Sequence, residues 1–291
     1  MEQNIALTLF LPIALGIIML GLGLSLMLDD FKRVVLYPKA VIVGLFCQMI
    51  LLPVICFGIT LLFNLPPALA IGLMLLAASP GGATANLFSH LAKGDVALNV
   101  TLTAVNSVLT LVTLPFIVNA SIHYFMQSSQ VITMQFSKII EVFAIVLIPV
   151  AIGMFINYKA PNFSKRLEKP VKVLSAIFLV LIIAGAVLKE KSNFVSYFQQ
   201  VGLASLCFNL ASMALGYFVP RLVNIGKKQA IAIGMEIGIH NGTLAIYIAL
   251  NVIGNSTMSI PPAIYSLIMF FTAALFGYVV SKKNTTLSQI Q

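Results

Sequence analysis

Apolar residues in this chain come in runs of about 18 to 25, the length of helix that crosses the hydrocarbon core of a bilayer, and the runs follow one another almost without pause. A soluble domain has nowhere to bury so much apolar surface. Only 9% of the 291 residues are charged, against roughly 25% in soluble proteins. Nine spans are expected, at 4–28, 40–63, 67–93, 95–120, 136–157, 171–188, 195–220, 229–253 and 260–281, so the fold class is an all-α polytopic membrane protein with nine transmembrane helices. The opening MEQNIALTLF lacks the basic stretch of a cleaved signal, so the first run is expected to stay as a span. Cys47, Cys56 and Cys207 lie inside apolar runs without metal-type spacing and read as small buried hydrophobes.

The formal net charge of +9 is distributed by topology. Fourteen of the 17 Lys and Arg fall in segments after the odd-numbered spans, and only Lys138, Lys189 and Lys191 lie on the other side. Basic residues stay on the cytoplasmic side of membrane helices. The N-terminus is therefore expected outside, the C-terminus in the cytoplasm, and the protein multi-pass in the cell (inner) membrane with lipid around it. Charge patterned in this way points to no nucleic-acid partner.

Two spans are interrupted. The third carries Ser79-Pro80-Gly81-Gly82 at its midpoint, and the eighth carries Gly234, Gly238 and Gly242 around Glu236, His240 and Asn241. Proline removes a backbone donor, and glycine weakens a helix by about 1 kcal/mol. Both spans read as helices broken near the bilayer midplane, where unwound backbone survives only inside protein or beside a wet cavity. By the charge pattern they run in opposite directions, as an inverted repeat requires. Residues 1–157 then hold the first repeat plus the first helix of the second, broken near 79–84. A basic cytoplasmic connector follows at 158–172, read as the longest loop. The rest of the second repeat, 171–281, is broken near 236–242, and 282–291 form a cytoplasmic tail.

Few polar residues lie inside the spans. Gln48 is in the second, and Asn86 follows the break in the third. Asn99, Thr103, Asn106 and Thr110 are spaced by four, three and four, which puts them on one face of the fourth. Glu236 is the most informative residue. A carboxylate at the bilayer centre costs at least about 2.5–3.5 kcal/mol and faces a partner or a pathway. No Lys or Arg stands at that depth, so the expected partner is a bound cation or a proton. Carboxylate, amide and freed backbone oxygens are ligands for a hard cation. The half-helices that resume near Gly82 and Asn241 present positive dipole ends suited to an anion, so Gly82, Ala83 and Thr84 in one, and Asn241, Gly242 and Thr243 in the other, are the candidate anion contacts. His240 reads either as a proton carrier or as a side chain bonded to free backbone at the break. Paired carboxylates, metal-type His/Glu spacing and a nucleophile with its base are all missing from the spans, which argues against an enzyme.

The stretches PKAVIVGLFCQMILLP (38–53), SPGGATANLFSHLAKGDVALNVTLTAVNSVLTLVTLP (79–115) and EIGIHNGTLA (236–245) resemble the bile acid:sodium symporter family along nearly the whole chain. The resemblance implies two crossing broken helices in a core domain, a separate panel domain, alternating access and two sodium sites. It resembles the nine-span members, which lack the first helix of ten-span ones. Carried over, the first sodium site would use Asn86, Asn99, Thr103 and Glu236, and the second Gln48, Glu236, the carbonyls of Ile237 and Ile239, and the position of His240. The family commonly has Ser at Ala85 and Asn99, and Gln at His240, so this chain has lost an oxygen ligand in each site at Ala85 and His240. The implied function is sodium-coupled symport of a small organic anion, bile-acid-like or another carboxylate or sulfated amphiphile, by a monomer. Coupling to protons through Glu236 and His240, sodium-independent transport, and a non-transporting anion sensor or channel on the same scaffold are the alternatives.

Overall fold

The computed structural model describes residues 5–82, 84–126 and 136–282; Ala83 and the tail from residue 283 lie outside the described residues. Helices make up almost all of it. α1 (Ile5–Ser25) bends by 61° into the short α2 (Leu28–Leu36). α3 (Pro38–Phe46) continues through a π turn, Cys47–Leu51, into α4 (Leu52–Leu62). α5 (Pro67–Ala77) and α6 (Ala85–Leu91) are two short helices in the place of the third expected span. Four long helices follow: α7 (Val96–Met126), α8 (Phe136–Lys159), α9 (Pro161–Lys189) and α10 (Phe194–Leu222). α11 (Lys227–Gly238) and α12 (Gly242–Tyr247) occupy the eighth expected span, and α13 (Ile260–Lys282) the last.

Among the described residues, six helices are long and apolar enough to cross a membrane: Pro38–Leu62, Val96–Met126, Ile140–Lys159, Pro161–Lys189, Phe194–Leu222 and Thr257–Ser281. α1 and α2 supply a seventh if the bent pair is one span. Phe116 and Phe271 are 72% and 79% exposed. Aromatic side chains bared in this number are expected where the surroundings are lipid rather than water.

One expectation is corrected here. The basic stretch at 158–172 is no loop, because α9 begins at Pro161 and runs through Pro170. Proline at the first helical position has no amide to leave unpaired and a backbone angle already set for helix. A Glu168–Lys172 pair at 2.5 Å supports the next turns, and the Ser164 hydroxyl donates to the Leu24 carbonyl at 2.9 Å. The chain turns only at Ala160, between α8 and α9.

α1, α8 and α9 pack on one another as one group, and α10 packs with α11 and α13 while α5 packs with α7 in another. In lipid, burial of apolar surface does little to draw helices together, so small residues that permit close backbone approach matter more. A Cβ on Gly23 would stand 2.2 Å from the Val150 carbonyl oxygen, and one on Gly153 would stand 2.6 Å from that of Leu20. In the second group, a Cβ on Gly216 would meet the Gly234 Cα at 2.7 Å. The groups touch through α7–α8, α1–α12, α9–α12 and α9–α13. Two hydroxyl–carboxylate bonds cross between them, from Tyr247 to Glu141 at 3.2 Å and from Ser256 to Glu190.

Candidate functional site

Breaking a helix inside the protein frees carbonyls and amides that need partners, since a buried polar group left alone costs about 1–3 kcal/mol. The two breaks satisfy each other. Gly81 and His240 face one another as an antiparallel bridge. The Gly82 amide donates to the Ile239 carbonyl at 2.6 Å, and the Asn241 amide donates to the Pro80 carbonyl at 2.9 Å. Had α11 continued as a helix, the Asn241 amide would have closed a turn on Ile237; it is diverted to the other break instead. The remaining carbonyls take side chains. Ser79 receives Gln48 Nε2 at 3.1 Å, with His240 Nδ1 at 3.4 Å, and Gly238 receives Asn209 Nδ2 at 2.9 Å and Tyr265 Oη at 3.0 Å.

Glu236 stands in the last turn of α11, within the helix rather than in the unwound segment. Its carboxylate is 1% exposed and lies against the backbone of Gly81, where any Cβ would be 2.1 Å from Oε1. Oε2 lies 2.6 Å from Thr103 Oγ1, and Asn106 is a second polar neighbour. Oε1 has no hydrogen-bond partner among the described residues.

The polar stripe of α7 is brought to this carboxylate. Asn99, Thr103, Asn106 and Thr110 are all buried. Asn99 Nδ2 donates to the Ala232 carbonyl at 2.8 Å, one turn before Glu236. That bond pins the amide and leaves Asn99 Oδ1 without a donor. The same division holds at Gln48, in the π turn, where Nε2 is tied to Ser79 and Oε1 is unpartnered. Asn86 Oδ1 and Asn106 Oδ1 are also buried and unpartnered. With Asn209 Oδ1, five amide oxygens and a carboxylate oxygen lack donors around the two breaks among the described residues. Acceptors without donors are what a hard cation satisfies. No Lys or Arg is buried among the described residues to do so instead.

Other expected site residues are placed differently. Asn86 is in the first turn of α6, and no hydrogen bond joins it to Glu236 among the described residues. The His240 ring does not hydrogen-bond Glu236. It stacks on Phe208 at 5.9 Å and meets the edge of Tyr265 at 5.4 Å, with Nε2 unpartnered. The Ile239 carbonyl already accepts from Gly82. Of the candidate anion contacts, Thr84 is exposed, whereas Gly82, Asn241, Gly242 and Thr243 are buried. Asn241 Oδ1 caps α12 by accepting the Leu244 amide at 3.0 Å. A narrow crevice between the two helix groups is lined by Ser107 and Thr110 of α7, Val142 and Phe143 of α8, and Leu244 of α12.

Sequence reasoning named Gly81 only as part of the break, and passed over Asn209 and Tyr265. Asn209 had a signal: with Ser205 and Ser212 it repeats at four and three residues along an otherwise apolar helix, and all three are buried. Tyr265 had none, and the contact of Gly81 with Glu236 is likewise set only across the fold.

Relatives are found at modest identity. The chain is 31% identical over 87% of its length to the probable sodium/metabolite cotransporter BASS1, chloroplastic, of Arabidopsis thaliana, of which it spans 62%. It is 28% identical over 94% of its length to the uncharacterized sodium-dependent transporter YocS of Bacillus subtilis, covering 84% of that protein. It is 25% identical over 97% of its length to the human ileal sodium/bile acid cotransporter, covering 81%. The family model for the Sodium Bile acid symporter family matches residues 12–197, which takes in the first break and the polar stripe of α7. With more than half of the chain matched, and the relatives extending over the second break, this chain belongs to the sodium bile acid symporter family.

Proposed function

We propose that the chain is a secondary active transporter that couples movement of a small organic anion to sodium, and not an enzyme. The observation that carries this reading is the set of donor-less oxygens at the crossing of the breaks, with Glu236 the sole buried carboxylate among them. A sodium ion supplies the positive charge that no buried Lys or Arg provides. The names of the relatives, sodium-dependent transporter and sodium/bile acid or sodium/metabolite cotransporter, support the same reading.

Nine spans follow if α5 with α6 and α11 with α12 each count as one crossing. The antiparallel bridge between the breaks is what an inverted repeat produces at its centre. The group of α1, α8 and α9 is then the panel, and the remainder the core. Alternating access is a movement of one group against the other around the crossing, and the protein works as a monomer in the cell membrane with its C-terminus inside. The anion is received at the crevice lined by Ser107 and Thr110. With no basic side chain in that crevice, its charge is balanced by the sodium beside it.

One strongly bound sodium is favoured over two. His240 offers no oxygen, and its ring is held between Phe208 and Tyr265. The first site keeps Asn99, Thr103 and Glu236 together; the second keeps Gln48 and backbone.

Purified protein in liposomes tests the reading: uptake of candidate anions is measured with an inward sodium gradient, with potassium in place of sodium, and with a proton gradient alone. Sodium-driven accumulation is expected. Accumulation driven by protons and indifferent to sodium would move coupling to Glu236 and His240, and binding without accumulation would make the protein a sensor.

A further inference from the structure

At the end of α11, the carbonyl of Gly238 carries two side-chain donors at once, Asn209 Nδ2 at 2.9 Å from α10 and Tyr265 Oη at 3.0 Å from α13. Both side chains are wholly buried. The next residue, Ile239, is extended at φ −113° and ψ 97°, and successive carbonyls of extended backbone point to opposite sides. The Ile239 carbonyl does point away, into the other break, where it meets the Gly82 amide. Fixing the Gly238 carbonyl toward α10 and α13 therefore sets the direction of its neighbour toward the crossing, and with it the last helical turn that carries Glu236. Tyr265 also meets the ring of His240 edge-on, so one side chain braces both the backbone and the imidazole.

We infer that Asn209 and Tyr265 are positioning residues for sodium: they touch neither ion nor anion, and act by holding the unwound end of α11 so that Glu236 and the adjacent carbonyl face the crossing. This deepens the sodium-coupled reading above and rests on it. A side observation supports a purpose beyond packing. Asn209 Oδ1 is buried without a partner, a cost that a leucine of similar size would not incur, so its amide is retained for the donor.

The experiment uses the full chain in detergent, with thermal unfolding followed across sodium concentrations at constant ionic strength in choline, and repeated with lithium. Tyr265→Phe removes the hydroxyl and leaves the ring on His240; Asn209→Leu removes the amide. Each variant is expected to raise the sodium concentration for half-maximal stabilisation by about three- to ten-fold, the worth of one buried hydrogen bond to a polar acceptor. The double variant should exceed either alone. The ratio of lithium to sodium half-points should shift, while unfolding of Tyr265→Phe in choline stays near wild type. Were sodium half-points and the lithium ratio unchanged while the variants melted earlier in every salt, the two residues would be structural only and the inference overturned. A wild type that sodium fails to stabilise would overturn the sodium reading and this inference together.

Discussion

Replacing Gly81 by alanine tests the heart of the site with a single methyl group. The backbone there tolerates a side chain, because Gly254 is the only glycine at positive φ among the described residues. Where backbone allows it, Gly→Ala is neutral or stabilises by about 0.4–1 kcal/mol. At Gly81 the added Cβ would lie 2.1 Å from Glu236 Oε1, 2.4 Å from Cδ and 2.8 Å from Oε2. Ordinary contact starts near 3.4 Å, so the carboxylate must withdraw by about 1.3 Å. That movement breaks its 2.6 Å bond to Thr103 and takes both oxygens from the crossing. A hydrogen bond to a charged group is worth about 1.5–3 kcal/mol, which at about 1.4 kcal/mol per decade is a roughly 10- to 150-fold loss of sodium affinity. Sodium-induced thermal stabilisation and equilibrium binding of radioactive sodium read this directly. Gly58→Ala, whose Cβ would meet nothing within 4 Å, is the matched control and should bind as wild type. Unchanged sodium affinity in Gly81→Ala would refute the claim that this glycine exists to admit the carboxylate.

Three further outcomes are expected. Glu236→Gln should insert and fold but lose its response to sodium, since it keeps the size of the side chain and removes the only carboxylate found at the crossing among the described residues; a wild-type sodium titration would remove Glu236 from the site. Thr103→Val, which deletes the hydroxyl 2.6 Å from that carboxylate, should raise the sodium half-point by about 10- to 150-fold, the same bond being lost as in Gly81→Ala, and an unaltered half-point would reassign the α7 stripe to packing. Wild-type protein should bind sodium with a Hill coefficient near unity, and His240→Gln, by returning an amide oxygen, should raise it. Two-sodium cooperativity in the wild type, unaffected by the change, would make His240 a structural substitute only.

Hydropathy and a few punctuating residues were enough to read the helical class, the long spans and the two interruptions, because bilayer thickness and backbone hydrogen bonding act on each segment separately. The lone carboxylate of Glu236 and the four-three-four stripe from Asn99 to Thr110 were legible for the same reason: each is an anomaly within its own helix. Local signals also misled. The basic stretch after residue 158 looked like a loop by composition, while Pro161 and the turns behind it continue as α9. What only the tertiary structure decided is which groups answer one another across the fold. Ser79 and His240 are 161 residues apart, and Thr103 and Glu236 are 133 apart. No periodicity within a segment encodes such pairings. The breaks become a site because the Gly82 amide finds the Ile239 carbonyl, because Gly81 lets a carboxylate rest on bare backbone, and because Asn209 and Tyr265 close on Gly238. Each of those depends on where packing sets two helices, and a bilayer, which constrains length and polarity, leaves that choice to the contacts themselves.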